Sequence, residues 1–182
     1  MLDSGQRRPK PLERGRLLEY AVRSLGGRAQ SIGELREKLR RRAALPGDVD
    51  DVLAQLKEIG YLNDQRFAEG FAVARLANDR FGRARVLRDL RQRRVAPALA
   101  EGTVQQIYEN VDESALIEEW IRRKYRTAPR EGLFQDDKDL ASAYRRLVRA
   151  GFRTGEIVRA LKRFAKDPEL LDNFEPPEEE VE

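Results

Sequence analysis

Three stretches decide the fold: Ser31-Ile-Gly-Glu-Leu-Arg-Glu-Lys-Leu39, Gly82-Arg-Ala-Arg-Val-Leu-Arg-Asp-Leu90 and Asp139-Leu-Ala-Ser-Ala-Tyr-Arg-Arg-Leu147. Each carries an apolar pair four residues apart: Leu35 and Leu39, Val86 and Leu90, Ala143 and Leu147. Residues at that spacing share one face of a helix. The three pairs superimpose at offsets of 51 and 57 residues, so the chain repeats a helical unit of about fifty residues. Ser31 and Glu34 also have capping-box spacing, which marks the start of the first of these helices.

Apolar stripes flank each middle helix. Leu17, Leu18, Ala21, Val22 and Leu25 precede the first, and Gly26-Gly27 closes that helix. After Pro46-Gly47, Asp48 is expected to cap a helix on which Val49, Val52, Leu53, Leu56 and Ile59 face inward, with Gly60 as its stop. In the second set, Phe67, Phe71 and Ala74 share a face, with Ala68, Ala72 and Leu76 beside them; Gly82 interrupts, and Pro97 opens a helix bearing Leu99, Val104, Ile107, Tyr108 and Val111. The third set starts near Asp112 with Leu116, Ile117, Trp120, Ile121 and Tyr125. A loop is expected over 126–137, and Thr154 is expected to cap a last helix carrying Ile157, Val158, Leu161 and Phe164. Tyr61 and Phe152, just past Gly60 and Gly151, are expected to fold back on the helices they leave.

The reading is all-α: three tandem three-helix units forming an elongated array whose curvature the sequence leaves open. The boundaries are a basic flexible arm 1–12, repeats 13–62, 63–111 and 112–166, and an acidic tail 167–182. A fifty-residue unit has a marginal core of its own, so packing against neighbours is expected to complete it.

The net charge of +4 hides a split. Of 32 acidic residues, eight lie in 167–182, which has no Lys or Arg; the rest of the chain carries 36 basic and 24 acidic groups. A body with that excess suits a polyanion, although a solvated basic surface satisfies the same count. The densest stretch is 80–94, with seven arginines and one acid, Asp89. With Val86 and Leu90 inward, Arg85, Arg88 and Gln92 point outward and Arg91 lies on the flank. Arg145 and Arg149 take the places of Arg88 and Gln92 in the third unit, whereas the first has Glu34, Glu37 and Arg41 outward with Lys38 nearby. Guanidinium forks pair with phosphate or carboxylate alike. The candidate binding residues for DNA or another polyanion are therefore Arg80, Arg85, Arg88, Arg91, Arg145 and Arg149. Arg83 and Arg94, near the buried stripe, read as structural, their stems covering apolar surface.

The chain has no Cys and no His. Disulfides, thiol or Ser-His chemistry and the usual zinc ligands are thereby excluded. No phosphate-loop or dinucleotide fingerprint is present. The acidic clusters Asp48/Asp50/Asp51 and Asp136/Asp137/Asp139 stand at expected helix starts, where negative charge is favoured. No cofactor and no metal are expected. Phe67, Phe71, Trp120 and Tyr144 sit at apolar spacings and read as core rather than base-stacking groups. No apolar run suits a membrane span and the N-terminus lacks a signal-peptide core, so a cytoplasmic, monomeric protein with no membrane partner is expected.

The stretch Leu56-Lys-Glu-Ile-Gly-Tyr-Leu-Asn-Asp-Gln-Arg-Phe-Ala68 resembles the signature of the RecX family, bacterial regulators of the RecA recombinase. Ser31-Ile-Gly-Glu-Leu-Arg-Glu-Lys-Leu39 and Tyr144-Arg-Arg-Leu-Val-Arg-Ala-Gly-Phe152 match other family pieces, in family order. The resemblance spans about residues 14–165. It implies three tandem three-helix domains and a non-enzymatic modulator that lies along the groove of the RecA–DNA filament and inhibits recombinase and ATPase activity. Its partners would be the RecA filament and single-stranded DNA, with duplex DNA a further candidate. The matched residues are Leu35, Lys38 and Leu39 in the first middle helix, Gly60, Tyr61, Leu62, Asp64, Phe67 and Ala68 at the first inter-unit junction, and Gly151 and Phe152 at the last middle helix. Departures are the turn Arg42-Ala-Ala-Leu-Pro-Gly47 and the helix end Arg93-Arg-Val-Ala-Pro97, which lacks the family's Lys-Gly form. The alternatives are a stand-alone helical DNA-binding protein and a protein–protein adaptor binding an acidic partner.

Overall fold

The computed structural model describes residues 10–126, 133, 134 and 136–166. Among these the architecture is all-α: α1 Arg14–Gly27, α2 Ile32–Arg40, α3 Gly47–Glu58, α4 Asp64–Ala74, α5 Arg83–Gln92, α6 Pro97–Ile107, α7 Glu113–Lys124, α8 Asp137–Arg149 and α9 Thr154–Phe164. A π-helical turn, Arg75–Asp79, continues α4. Residues 167–182, read as the acidic tail, and 1–9 of the arm lie outside the described residues. Leu12, the last residue of that arm, is held: its N–H donates to the Arg42 carbonyl at 2.6 Å and its own carbonyl accepts from Ala44 N–H at 2.9 Å.

Compactness divides the chain into two units, Met1–Ala68 with Arg91–Leu99, and Glu69–Leu90 with Ala100–Glu182. The first is built on α1, α2 and α3, whose core holds Leu17, Ala21, Leu35, Leu39, Val49, Val52, Leu53, Leu56 and Leu62. The second is built on α7, α8 and α9, with Ile117, Ile121, Leu140, Leu147, Ile157 and Leu161 fully buried. Each such side chain contributes about 1.5–3 kcal/mol through removal from water. The three superimposed pairs are all buried, Leu35, Leu39, Val86, Leu90 and Leu147 completely and Ala143 nearly so.

A similar corner follows α2, α5 and α8. The Arg42 carbonyl, after α2, accepts from Leu12 N–H. The Arg93 carbonyl, 51 residues on and after α5, accepts from the Ser31 hydroxyl at the start of α2. The Ala150 carbonyl, 57 residues further and after α8, accepts from Gly82 N–H at 2.8 Å, just before α5. The next residue is left-handed in the last two corners, Arg94 at φ 58° and Gly151 at φ 91°. In each a glycine lets the backbones meet: a β-carbon on Gly33 would overlap Arg94, and one on Gly82 would overlap Gly151. Arg94 thus does what the missing glycine would do, at a cost of about 1–2 kcal/mol for a non-glycine residue in that region.

The Ser31–Glu34 capping box forms as the spacing predicts. Asp64 adds an acceptor for α2, its Oδ1 taking Ile32 N–H at 2.7 Å. Asp112 and Asp136 cap α7 and α8 by accepting from Ala115 and Asp139 N–H. Other local expectations are corrected. Asp48 does not cap α3; Pro46 stands at that cap without a side-chain bond and Asp48 lies in the first turn. Thr154 is the first residue of α9, capped at Arg153, and its hydroxyl meets Tyr144 Oη at 3.3 Å. Ile59 and Tyr61 are more than half exposed, and Leu62 is the residue that folds back. On α4 the buried face is Ala68 and Ala72, with Phe67 and Phe71 only half-buried. Inside the expected loop, Phe134 is buried, exchanges hydrogen bonds with Phe164 and Lys166, and meets the Tyr125 ring edge-on at 5.4 Å.

Two predictions follow from these contacts. G151A loses about 1–3 kcal/mol, because its φ and the Arg85 backbone both resist a β-carbon. G102A, in a helix with open space around it, gains about 0.4–1 kcal/mol. Urea unfolding of both variants checks the contrast. The second prediction concerns Asp64, whose carboxyl is pushed above the ordinary carboxylate value by burial, against the lowering effect of Ile32 N–H. A raised folded pKa means a contribution present in full below about 3.8 and lost as pH rises through the folded value. D64N keeps an acceptor without a charge, so its stability relative to wild type increases from acid to neutral pH. D64A leaves Ile32 N–H without this acceptor and costs about 1–3 kcal/mol.

Candidate nucleic-acid interface

The second unit gathers cations around the corner after α8. Gly82 N–H and Ala84 N–H donate to the Ala150 and Gly151 carbonyls at 2.8 and 3.2 Å, which fixes the start of α5 against the end of α8. From there the Arg85 and Arg88 guanidinium groups both reach the Arg149 carbonyl, at 3.4 and 3.1 Å. Carbonyls at a helix C-terminus carry partial negative charge, so the two forks are favourably placed. Asp89, 8% exposed, accepts from Arg85 Nε at 2.9 Å and lies 3.9 Å from Arg75 Nε. The one acid in the Arg-rich stretch is therefore a buried tether for two arginines, and it offsets part of their charge.

Phe81 completes the floor. Its carbonyl accepts from Tyr108 Oη at 2.7 Å, and burial raises the pKa of that phenol, keeping it a donor. The Arg85 and Arg75 guanidinium groups lie 5.2 and 5.8 Å from the Phe81 ring centre, within cation–π reach. Phe81, Arg85, Trp120, Lys124, Arg146, Arg149 and Ala150 line a cleft of about 290 Å³. Trp120 and Lys124 come from one face of α7, Arg146 and Arg149 from one face of α8.

The structure sorts the sequence candidates. Arg85, Arg88 and Arg149 come together in this unit, and Arg145 is exposed on α8. Arg80 is committed within the fold: it takes φ 55°, closes the π-helical turn by donating to the Leu76 and Ala77 carbonyls, and pairs with Glu119 at 2.6 Å. Arg91 is exposed and belongs to the other compact unit. Arg83 and Arg94 are exposed, and Arg94 is used in the corner that Gly33 approaches. Glu34 is turned inward, bound by Arg28 and Arg93 at 3.2 and 3.0 Å in addition to its capping role. The sequence reading missed Phe81, Lys124 and Arg146; Trp120, read as core, does pack against the core, is half-buried and also lines the cleft. The signal was available in part: with Ile117 and Ile121 buried, Trp120 and Lys124 at i and i+4 share a neighbouring face.

Among the described residues there is no group of three or more His, Cys, Asp or Glu side chains that could hold a metal ion. None of the described helices is long and apolar enough to cross a membrane.

The family model described as RecX, second three-helix domain, matches residues 63–103. The regulatory protein RecX of Deinococcus radiodurans is 36% identical over 182 residues, spanning 96% of this chain and 78% of that protein. The chain belongs to the RecX family of regulatory proteins. A second RecX, from Halorhodospira halophila, is 34% identical over 78% of this chain and 83% of its own length. The crystal structure of RecX from Lactobacillus salivarius superimposes with a TM-score of 0.63 over 83% of this chain and 96% of that one, at 14% identity, and so shares the fold. Family membership supports a RecX-like regulatory role for this chain.

The sorting of arginines gives a stability contrast. R80A loses about 1–2 kcal/mol, because two carbonyls lose a charged donor. R145A, at an exposed position, stays within about 0.5 kcal/mol of wild type. Thermal unfolding measures both.

Proposed function

We propose that this RecX-family chain is a non-enzymatic regulator that binds the RecA–DNA filament in its groove and inhibits recombinase and ATPase activity. The observation that carries the reading is the convergence of Arg85, Arg88 and Arg149 beside Arg145 and Arg146 in one compact unit of a RecX-family protein. Arg88, Arg145 and Arg149 are the direct contacts to phosphate in this reading, because they are exposed. Arg85 acts mainly by ordering the cleft, since Asp89 holds its guanidinium. Arg80 is the weakest of the six candidates, as its head is already used; Arg91 is retained as a contact from the other unit.

We also infer a division into repeats 13–62, 63–111 and 112–166, supported by the recurrence of the corner at Arg42, Arg93 and Ala150. Linked units raise overall affinity without any single strong site, because each bound unit raises the local concentration of the next. Inhibition then follows from occupying the space that a second DNA strand or a moving RecA subunit needs.

The test is titration into a RecA strand-exchange reaction with ATP hydrolysis followed in the same tube. The wild-type chain lowers both rates. The folded triple variant R88E/R145E/R149E weakens filament binding by about tenfold or more at low salt and flattens the dependence of affinity on salt, as loss of phosphate contacts requires. Wild-type inhibition and salt slope in that variant would reject these residues as the contact. Stronger binding to bare duplex than to the RecA-coated strand would favour a stand-alone DNA-binding protein. Binding that survives nuclease treatment in the absence of RecA would favour an adaptor.

A further inference from the structure

We infer that the cleft between α7 and α8 is a single-nucleotide site, in which Trp120 stacks on the base of a single-stranded nucleic acid while Lys124, Arg146 and Arg149 hold its phosphates. The inference deepens the proposed filament reading by naming the ligand chemistry of the basic face, and it rests on that face being turned to nucleic acid.

The cleft combines two features that ordinary solvated helix charge does not require. It has an aromatic wall, Trp120 with Phe81, and four cations, Arg85, Lys124, Arg146 and Arg149, with no carboxylate among the described residues that line it. The cations differ in how far the fold uses them. Arg85 is held by Asp89 and by the Phe81 ring. Arg146 reaches the Tyr125 hydroxyl at 3.4 Å, a marginal bond. The Lys124 and Arg149 heads have no ion pair among the described residues and remain for a ligand. Trp120 is half-buried, anchored to the unit's core yet part of the cleft wall. Phe81 already faces guanidinium groups at 5.2 and 5.8 Å, which leaves the indole as the ring for a ligand.

Size and chemistry then choose the ligand. A volume of about 290 Å³ suits one small planar group rather than a folded element. A duplex keeps its bases stacked inside, so it offers this cleft phosphate only. A single strand offers a flat π-face and a phosphate together, which is the pairing that sequence-tolerant single-strand binders use. An acidic peptide would satisfy the cations but leave the indole without a stacked partner.

Trp120 is the sole tryptophan of the chain, so its emission reports on this site alone. The full-length protein is titrated at low salt with oligothymidylate, with an abasic deoxyribose-phosphate oligomer of equal length, and with polyglutamate. The inference expects saturable quenching by oligothymidylate, and binding of the abasic oligomer with little change in emission. Binding is followed in parallel by anisotropy of labelled oligomers. There, W120A weakens oligothymidylate binding by about fivefold to a hundredfold, the range for loss of one stacked base, while W120F retains most of it. K124E/R149E lowers affinity for both oligomers at least tenfold. Circular dichroism establishes that each variant is folded; if W120A is not, W120F and K124E/R149E carry the test.

Oligothymidylate binding that leaves the emission unchanged would overturn the site, as would equal quenching by the abasic oligomer or by polyglutamate. Failure here is distinct from failure of the filament reading. A silent indole with intact inhibition of strand exchange removes the nucleotide site and leaves the regulator. A responsive indole without inhibition does the reverse.

Discussion

A backbone carbonyl at the corner after each of α2, α5 and α8 organises the chain. At the end of a helix such carbonyls lack intrahelical partners, and at the start of a helix the same is true of the N–H groups. The fold joins the two deficits. The Ala150 and Gly151 carbonyls take the Gly82 and Ala84 N–H groups at the start of α5, and the Arg93 carbonyl takes the Ser31 hydroxyl ahead of α2. At Arg42 the same role falls to Leu12, from the segment preceding α1. Gly33 and Gly82 are required because any side chain would hold the backbones apart.

That joint also places charge. Once the start of α5 lies on the end of α8, Arg85 and Arg88 are within reach of the Arg149 carbonyl. Like-charged side chains are then crowded into one place, and the helix end and Asp89 supply the opposing charge. The ion pairs at the exposed rim contribute little individually to stability, about 0–1 kcal/mol each. Their consequence is electrostatic: a concentration of guanidinium groups beside a cleft that has no acid among the described residues of its lining.

Much of this was legible in the sequence, and the limits have physical causes. The Leu35/Leu39, Val86/Leu90 and Ala143/Leu147 pairs mark α2, α5 and α8 because burial imposes a period of 3.6, and all six residues are buried. The Ser31–Glu34 cap is local and equally readable. Ile59 and Tyr61 misled because apolar residues near a helix end need not be covered, and the turn around Gly60 directs Leu62 inward instead. Arg80 misled because composition counts charge without showing that a head is already hydrogen-bonded. Trp120, read as core, packs against it at the margin, and spacing gives such a face but not its edge. Phe134 was invisible because its partners, Phe164 and Lys166, are some thirty residues away and bind it through the backbone.

The claim that everything else leans on is the docking of the α5 start onto the α8 corner. Amide hydrogen exchange at Gly82 and Ala84 tests it most directly, since amides at the start of a helix ordinarily exchange as if unfolded. The account predicts protection at both amides comparable to that of the buried turns of α8. Exchange as fast as that of a frayed helix start would contradict it, and with it the placement of Arg85 and Arg88.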